Sequence, residues 1–283
     1  AILRYPAFLY RNRKESRMLQ RSMPFLSRLT RALLVFSTAL LLTALSGPLQ
    51  AWAATTIKLS NQYPPTHHVS LGLGVFADKV KEFSGGAMEV KVYDSGSLYR
   101  DAEIVKAIRS GSTELGLVPL NKWSGMLPAV DIFEVPFVFK DLPSLKTFLD
   151  SGAAELFDTA FERYGVKVMF WVDYGYVQFF NNKHPLTAPA DFKGLTMRAF
   201  SAADQEILAA LGASPTIISS SELSLALQRG TTEGTMTGTP ADVARTDSEV
   251  HSYITPENYS TAELLHLAKP KGRLHTTDVQ RVV

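Results

Sequence analysis

Apolar and polar positions along this chain follow two rhythms that alternate with each other. "MEVKVYD" (88–94) changes character at every second residue, the period of a strand with one buried face. "TIKLSNQ" (56–62) and "LGLVPL" (115–120) are short apolar-rich runs that also predict strands. Between them the period lengthens to that of a helix. One helix is predicted from about Ser70 to Phe83, after a Pro-Pro turn. A second spans "DAEIVKAIRSG" (101–111), with Asp101 as N-cap, Ile104, Val105 and Ile108 on one face, and Gly111 as the stop. After "DIFEVPFVFKD" come helical stretches at about 142–150 and 153–163. "VKVMFWVDYGYVQFFNN" (166–182) is too long for one ordinary strand and carries Gly175 in its middle, so it predicts two strands joined near Tyr174-Gly175. "GLTMRAF" is the next strand, 202–212 a helix and "SPTIIS" (214–219) a strand. "SELSLALQRG" (221–230) is a helix capped by Ser221 and stopped by Gly230, and "HSYIT" and "AELLHLA" are closing strands. Such alternation predicts α/β layers with largely parallel sheets. There is no internal repeat and no low-complexity tract.

Residues 1–53 stand outside this rhythm. Arg21, Arg28 and Arg31 precede "ALLVFSTALLLTALSG" (32–47), 16 residues without a charge, and the triplet Ala51-Trp52-Ala53 follows. A basic flank, a short apolar core and an A-x-A exit predict a secretory signal peptide. The run is short of the ~20 residues that a membrane-spanning helix needs. Translation is expected to start at Met18 or Met23, which makes the residues before it upstream read-through, and the mature chain is expected to begin near Ala54.

This segment changes the charge balance. The whole chain has 29 basic and 27 acidic residues. Residues 1–53 hold eight basic and one acidic, which leaves 21 against 26, or −5. The basic pI of about 8.7 therefore belongs to the leader, and the main reason to expect nucleic-acid binding goes with it. The chain has no cysteine, so an exported domain of this size stands on its core without disulfides or thiolate metal sites.

Enzyme signatures are poorly represented. "GLGVFA" (72–77) fits a G-x-G-x-x-A pattern but lies inside a predicted helix, where close helix packing explains it. His67 and His68 are adjacent, yet no third ligand stands at metal spacing, and a loop that packs or touches ligand is the better reading. No G-x-S-x-G or H-E-x-x-H occurs. No catalytic residue, metal or cofactor is assigned. Binding has better candidates. Arg198 ends a Leu-Thr-Met strand, and ligands of open α/β sheets sit outside the carboxyl ends of strands. A guanidinium there offers a planar fork matched to a carboxylate. The pattern alone equally fits an arginine on a solvated strand end or in a structural ion pair.

Four stretches carry a family likeness: "LPAVDIFEVPFVFKD" (127–141), "APADFKGLTMR" (188–198), "LGASPTIISSSELSLALQRGTTEG" (211–234) and "DVQRVV" (278–283). In order and spacing they resemble the DctP-type family, the extracytoplasmic solute-binding receptors of TRAP transporters. The resemblance implies a periplasmic binding protein-like fold with two α/β lobes around a ligand cleft: lobe one at 54–175 with a returning strand at 262–268, lobe two at 176–261. The crossings at 174–177 and 260–263 are then the hinge. It implies a periplasmic receptor, not an enzyme, that closes on a small organic acid and hands it to TRAP membrane subunits. The oligomeric state is left open, with a monomer as the default. A ligand sensor that presents its closed state to a signalling protein, or an exported enzyme on a similar scaffold, are the other classes.

In that family the strand-end arginine pairs with the ligand's carboxylate, and Arg198 holds that position. Many relatives carry a second arginine on the preceding strand, where this chain has Gln178. Some sugar-acid binders carry an asparagine where it has Thr237. These departures favour a monocarboxylate or hydroxy acid over a dicarboxylate, unless Lys122, His67 or His68 supplies charge from the other lobe. Trp123, Tyr174 and Tyr176 are expected as cleft walls with polar tips, and Asn182 and Ser220 as further ligand contacts. Relatives continue past "DVQRVV" into a long bracing helix, so the C-terminal helices are expected to be missing from residues 269–283 onward, with apolar faces exposed and stability marginal.

Overall fold

The computed structural model describes residues 54–255 and 264–270. The predicted leader (1–53), the second expected crossing (260–263) and the tail after Pro270 lie outside the described residues. In chain order the strands and helices are β1 (Thr55–Ser60), α1 (His68–Phe83), β2 (Met88–Tyr93), α2 (Ile104–Ser110), β3 (Leu115–Pro119), α3 (Leu142–Phe148), α4 (Ala154–Arg163), β4 (Val166–Asp173), β5 (Val177–Asn181), β6 (Thr196–Ala199), α5 (Ala202–Ala210), β7 (Ser214–Ile217), α6 (Leu223–Gln228), β8 (Gly234–Gly238), α7 (Thr239–Ala244), β9 (Tyr253–Ile254) and β10 (Leu264–Pro270). Short 3₁₀ turns at Leu120–Trp123 and Pro128–Phe133 follow β3.

The strands form two five-stranded sheets, ordered β2-β1-β3-β10-β4 and β7-β6-β8-β5-β9. Each begins with three parallel strands built from β-α-β units and continues with an antiparallel strand that arrives from elsewhere in the chain. The sheets are therefore mixed, not largely parallel as periodicity predicts. The antiparallel members are β10 in the first sheet and β5 in the second; each joins a sheet other than that of the strand before it, which a local pattern does not reveal. β10 lies between β3 and β4. The chain passes from the first sheet to the second at Tyr174–Tyr176, where Gly175 has φ 105°, a left-handed conformation that side chains with a Cβ seldom adopt.

Two helix starts differ from expectation. α2 begins at Ile104, with Glu103 in the cap position and no side-chain cap bond, because Asp101 turns towards the second lobe instead. α6 begins at Leu223, and Ser221 is not its cap; Ser221 packs where a side chain on Gly96 would lie. β8 and α7 escape the sequence reading altogether. "GTMTG" has neither apolar alternation nor β-rich composition, yet all five residues are buried. A Cβ on Gly234 would lie 2.4 Å from the Phe180 carbonyl oxygen and 2.6 Å from Met197 Sδ, so the strand fits between β5 and β6 only because that side chain is absent.

His67 caps α1. Its Nδ1 accepts the Val69 amide at 3.2 Å, and its ring stacks 4.4 Å from Tyr63 and 5.7 Å from Tyr174. Nε2 is buried without a hydrogen-bond partner among the described residues. Burial, with the neighbouring His68 and Arg245 adding to it, pulls the His67 pKa down to about 3.

Two stability predictions follow from this packing. Gly234→Ala is expected to cost about 1–3 kcal/mol through overpacking, lowering the thermal midpoint by roughly 2–12 °C. Gly72→Ala, in α1 with nothing within 4 Å of the new methyl, is expected to be neutral or stabilising by about 0.5–1 kcal/mol. For His67, an unfolded imidazole takes a proton below its ordinary pKa of about 6.5, whereas the folded one refuses it until about pH 3. Its contribution is thus complete above pH 6.5 and is lost as pH falls towards 3, at up to about 1.4 kcal/mol per pH unit. Denaturant titrations between pH 7 and 4.5 should show a shallower acid loss for His67→Asn, which keeps a capping oxygen but does not titrate.

Candidate functional site

The strongest concentration of polar chemistry lies at the carboxyl ends of β6 and β8, facing the first lobe. Parallel strands deliver their last side chains to one edge, and here the order turns antiparallel at β5, so the edge opens into a crevice. The second lobe lines this cavity with Arg198, Phe200, Asp204, Ser220, Met236 and Thr237, together with Val177 from β5. From the first lobe come Tyr63, Asn121 and Glu134, and Tyr174 enters from the crossing. The cavity among these groups has a volume of about 20 Å³, so its walls stand close together.

Arg198 is 2 % exposed. Its Nε donates to the Ile218 carbonyl at 2.9 Å, Nη1 to the Met236 carbonyl at 3.1 Å and Nη2 to Ser220 Oγ at 3.4 Å, and the guanidinium carbon sits 4.7 Å above the Phe200 ring. The carbonyls fix the fork and the ring supports one face. Of its five N–H groups, one on each terminal nitrogen remains after these bonds. Among the described residues no carboxylate comes within 4 Å of it. Burial pushes its pKa down, as does Arg245, while Tyr174, Asp204 and Asp101 act in the opposite sense.

Four of the expected ligand residues share this cavity: Arg198, Ser220, Thr237 and Tyr174. Thr237 Oγ1 lies 3.0 Å from Tyr174 Oη and accepts from Arg245 Nη2 at 3.0 Å. Arg245 is a second buried guanidinium, paired with Asp247 at 2.6 Å, so Arg198 is not the only one near the cleft. The other five expected residues lie elsewhere. Trp123 is fully buried in the first-lobe core, 5.1 Å from Phe161, because the 3₁₀ turn after β3 rolls it inward. Gln178 accepts from Thr239 Oγ1 and donates to the Thr255 carbonyl, away from the cavity. Tyr176 lies beside it on an open surface groove with Pro240 and Val243. Asn182 follows the far end of β5, where its amide donates to the Glu233 carbonyl. His67 stands behind Tyr63 and Tyr174 and does not reach the cavity wall.

Sequence reasoning missed Glu134, Asn121, Asp204 and Tyr63. Glu134 lies inside the "DIFEVPFVFKD" motif, but nothing in the spacing marks it as facing the cleft. Its Oε1 accepts from Asn121 Nδ2 at 3.4 Å, and its Oε2 accepts from Ser201 Oγ of the second lobe at 3.2 Å. Asp204 reads as an ordinary N3 residue of a capping box, and it does bond the Phe200 and Ser201 amides at 3.0 and 3.3 Å. Burial pushes its pKa up and those amides oppose the shift. The crevice is therefore not mostly apolar: acids, amides and hydroxyls share it with the aromatic rings.

Several bonds join the lobes around this space. Asp101 Oδ2 accepts the Ser220 amide at 3.0 Å in a buried setting. Lys122 Nζ donates to the Phe200 carbonyl and lies 3.4 Å from the centroid of that ring. Thr66 Oγ1 donates to the Ala244 carbonyl at 2.8 Å, and Arg100 pairs with Glu222 at 2.7 Å on the exposed rim.

Comparison with known proteins places this geometry. The family-wide profile described as DctP, bacterial extracellular solute-binding protein, family 7, matches residues 59–269. The C4-dicarboxylate-binding periplasmic protein DctP of Rhodobacter capsulatus is 31% identical over 228 residues, covering 80% of this chain and 68% of that protein. A solute-binding protein of Verminephrobacter eiseniae is 29% identical over 187 residues, covering 65% and 55%. The chain thus spans little more than half to two thirds of these relatives' lengths. Among solved structures, a TRAP periplasmic solute-binding protein of Sulfurospirillum deleyianum with bound succinate aligns with TM-score 0.76 and 25% identity, covering 81% of this chain and 76% of that one. DctP7 of Bordetella pertussis, an extracytoplasmic solute receptor binding pyroglutamic acid, shares the fold with TM-score 0.75 at 22% identity, with coverage of 81% and 76%. With the profile spanning about three quarters of its residues, the chain belongs to the DctP family, the extracytoplasmic solute-binding proteins of TRAP transporters.

Proposed function

We propose that this chain is a periplasmic receptor that binds a small organic acid between its two lobes and delivers it to TRAP-type membrane subunits without chemically changing it. The observation that carries the reading is Arg198: a buried guanidinium, held by two carbonyls and a hydroxyl, with no carboxylate of the described residues in ion-pair range. A buried cation without an anionic partner is costly, and a ligand carboxylate supplies that partner. The relatives whose ligands are succinate and pyroglutamic acid support an acid here as well. The leader-like segment at 32–53 supports export.

Binding and closure are one equilibrium in this reading. Asp101 with Ser220, Lys122 with Phe200 and Glu134 with Ser201 bond across the lobes, and an acid on Arg198 adds contacts that exist only while both walls are near. The ligand shifts the population towards the closed form, with the crossing at Tyr174–Tyr176 as a hinge. The membrane subunits then recognise that form.

Titration calorimetry with a panel of organic acids tests this. Arg198→Ala is expected to lose about 2–5 kcal/mol of binding, roughly 30-fold to several thousand-fold. Arg198→Lys, which keeps the charge but not the fork, is expected to lose less. Unchanged affinity in both variants would overturn the assignment. Asp101→Ala leaves the acid's own partners in place and is expected to weaken every acid by a similar factor, about 10-fold for one buried charge-assisted bond. A loss that differs from acid to acid would place Asp101 at the ligand instead of at the closure contact.

A further inference from the structure

Arg245 stands behind the cavity wall and does not line it. It follows α7, and Thr246 next to it takes φ 58°, a left-handed conformation that is rare for a β-branched residue. That turn sets Arg245 beside Asp247, two positions on. Arg245 Nε donates to Asp247 Oδ2 at 2.6 Å, and Asp247 Oδ1 accepts from Ser224 Oγ of α6. Both partners are buried, so the guanidinium is fixed from the interior of the second lobe and its charge is balanced there. The ion pair engages one edge of the fork. Another nitrogen, Nη2, turns to the site and donates to Thr237 Oγ1 at 3.0 Å.

A guanidinium has donors and no acceptor. Its bond therefore makes Thr237 Oγ1 an acceptor on that side and leaves the threonine's own proton for another group. Tyr174 Oη lies 3.0 Å from Thr237 Oγ1 and accepts the Gly238 amide at 3.4 Å. The Thr237–Tyr174 bond, in either direction, uses one hydroxyl proton, and the other needs an acceptor outside the pair. Both side chains line the cavity, where an anion's oxygen is such an acceptor. Hydrogen bonds in series polarise one another, so the charge on Arg245 strengthens the donor at the end of the chain. Arg198 Nη1 bonds the carbonyl of Met236, the residue before Thr237, so the fork and the hydroxyl are anchored at neighbouring positions of β8. Arg245 also acts on Arg198 itself, whose pKa it helps to push down, so its field reaches across the wall.

Resting on the carboxylate-receptor reading above, we infer that Arg245 is a positioning residue of the ligand site: through Thr237 it presents a polarised hydroxyl, beside the Arg198 fork, as a second donor to the bound acid. The acid is then held by one cation that it touches and by another that it does not.

Calorimetry on the full chain with straight-chain mono- and dicarboxylates of two to six carbons identifies the tightest-binding acid, and a double-mutant cycle on that acid tests the role. Thr237→Val keeps the shape without the hydroxyl and is expected to weaken binding about 10-fold, the loss of one charge-assisted bond. Thr237→Ser, which keeps the hydroxyl, is expected to lose less. Arg245→Lys keeps a cation for Asp247 but has no second nitrogen for Thr237, and is expected to weaken binding about 3-fold to 10-fold. In the Thr237→Val background the same change is expected to add less than about 2-fold, because its effect passes through the missing hydroxyl. An arginine that serves only the fold would weaken binding equally with or without that hydroxyl. Losses that multiply in the double variant, or an Arg245→Lys chain with unchanged affinity, would overturn the role. If Arg245→Lys does not fold, Arg245→Met combined with Asp247→Asn removes both charges together and takes its place in the cycle, with the same outcomes. Loss of binding in Arg198→Ala but none in Thr237→Val would sink this inference and leave the carboxylate reading intact. No binding of any acid by the unsubstituted chain, or binding indifferent to Arg198→Ala, would overturn both.

Discussion

A guanidinium taken out of water, with no carboxylate of the described residues in ion-pair range, is the constraint around which this molecule is arranged. Arg198 is tolerated at the end of β6 because Ile218 and Met236 turn their carbonyls to it and Phe200 lies beneath it. Those three partners come from three different segments, so the local course of β6, β7 and β8 is tied to the cation's needs. The same bonds orient the fork rigidly, so it has little freedom left to lose.

The two sheets close this cavity from opposite sides. Asn121 and Glu134 reach it from turns that follow β3; Asn121 holds Glu134, and Glu134 accepts from Ser201 across the gap. The contacts of Asp101, Lys122 and Thr66 add cohesion between lobes that does not depend on the ligand's identity.

Much of this was legible in the chain. Strand and helix alternation places most elements, and the glycine in "DYGY" marks the crossing, because local periodicity and backbone freedom are local properties. Arg198 stood out because a charge at the end of an apolar strand demands an explanation, and the family motif around it indicated which. Other features depend on tertiary geometry and left little trace. Trp123 looks like a wall and is core because a 3₁₀ turn rolls it under. β8 is polar in composition but buried: Thr235 donates to the Met236 carbonyl, Thr237 bonds Tyr174 and Arg245, and the absence of a side chain on Gly234 admits the neighbouring strand. Glu134 is one acid among many until a distant serine and arginine are brought opposite it. Asp101 resembles a helix cap, and only the second lobe's Ser220 amide gives it another use.

Tyr174 lies across the end of β8 so closely that a Cβ on Gly238 would come within 2.7 Å of its ring. The tyrosine belongs to the crossing between sheets, its hydroxyl touches Thr237 in the cavity, and its other face meets Tyr63 and His67. A single hydrogen in place of a methyl thus decides how near the connecting segment can approach the binding wall. Descendants of this gene that acquired even an alanine there would have to re-aim the whole joint, and with it the distance between the walls of the cavity.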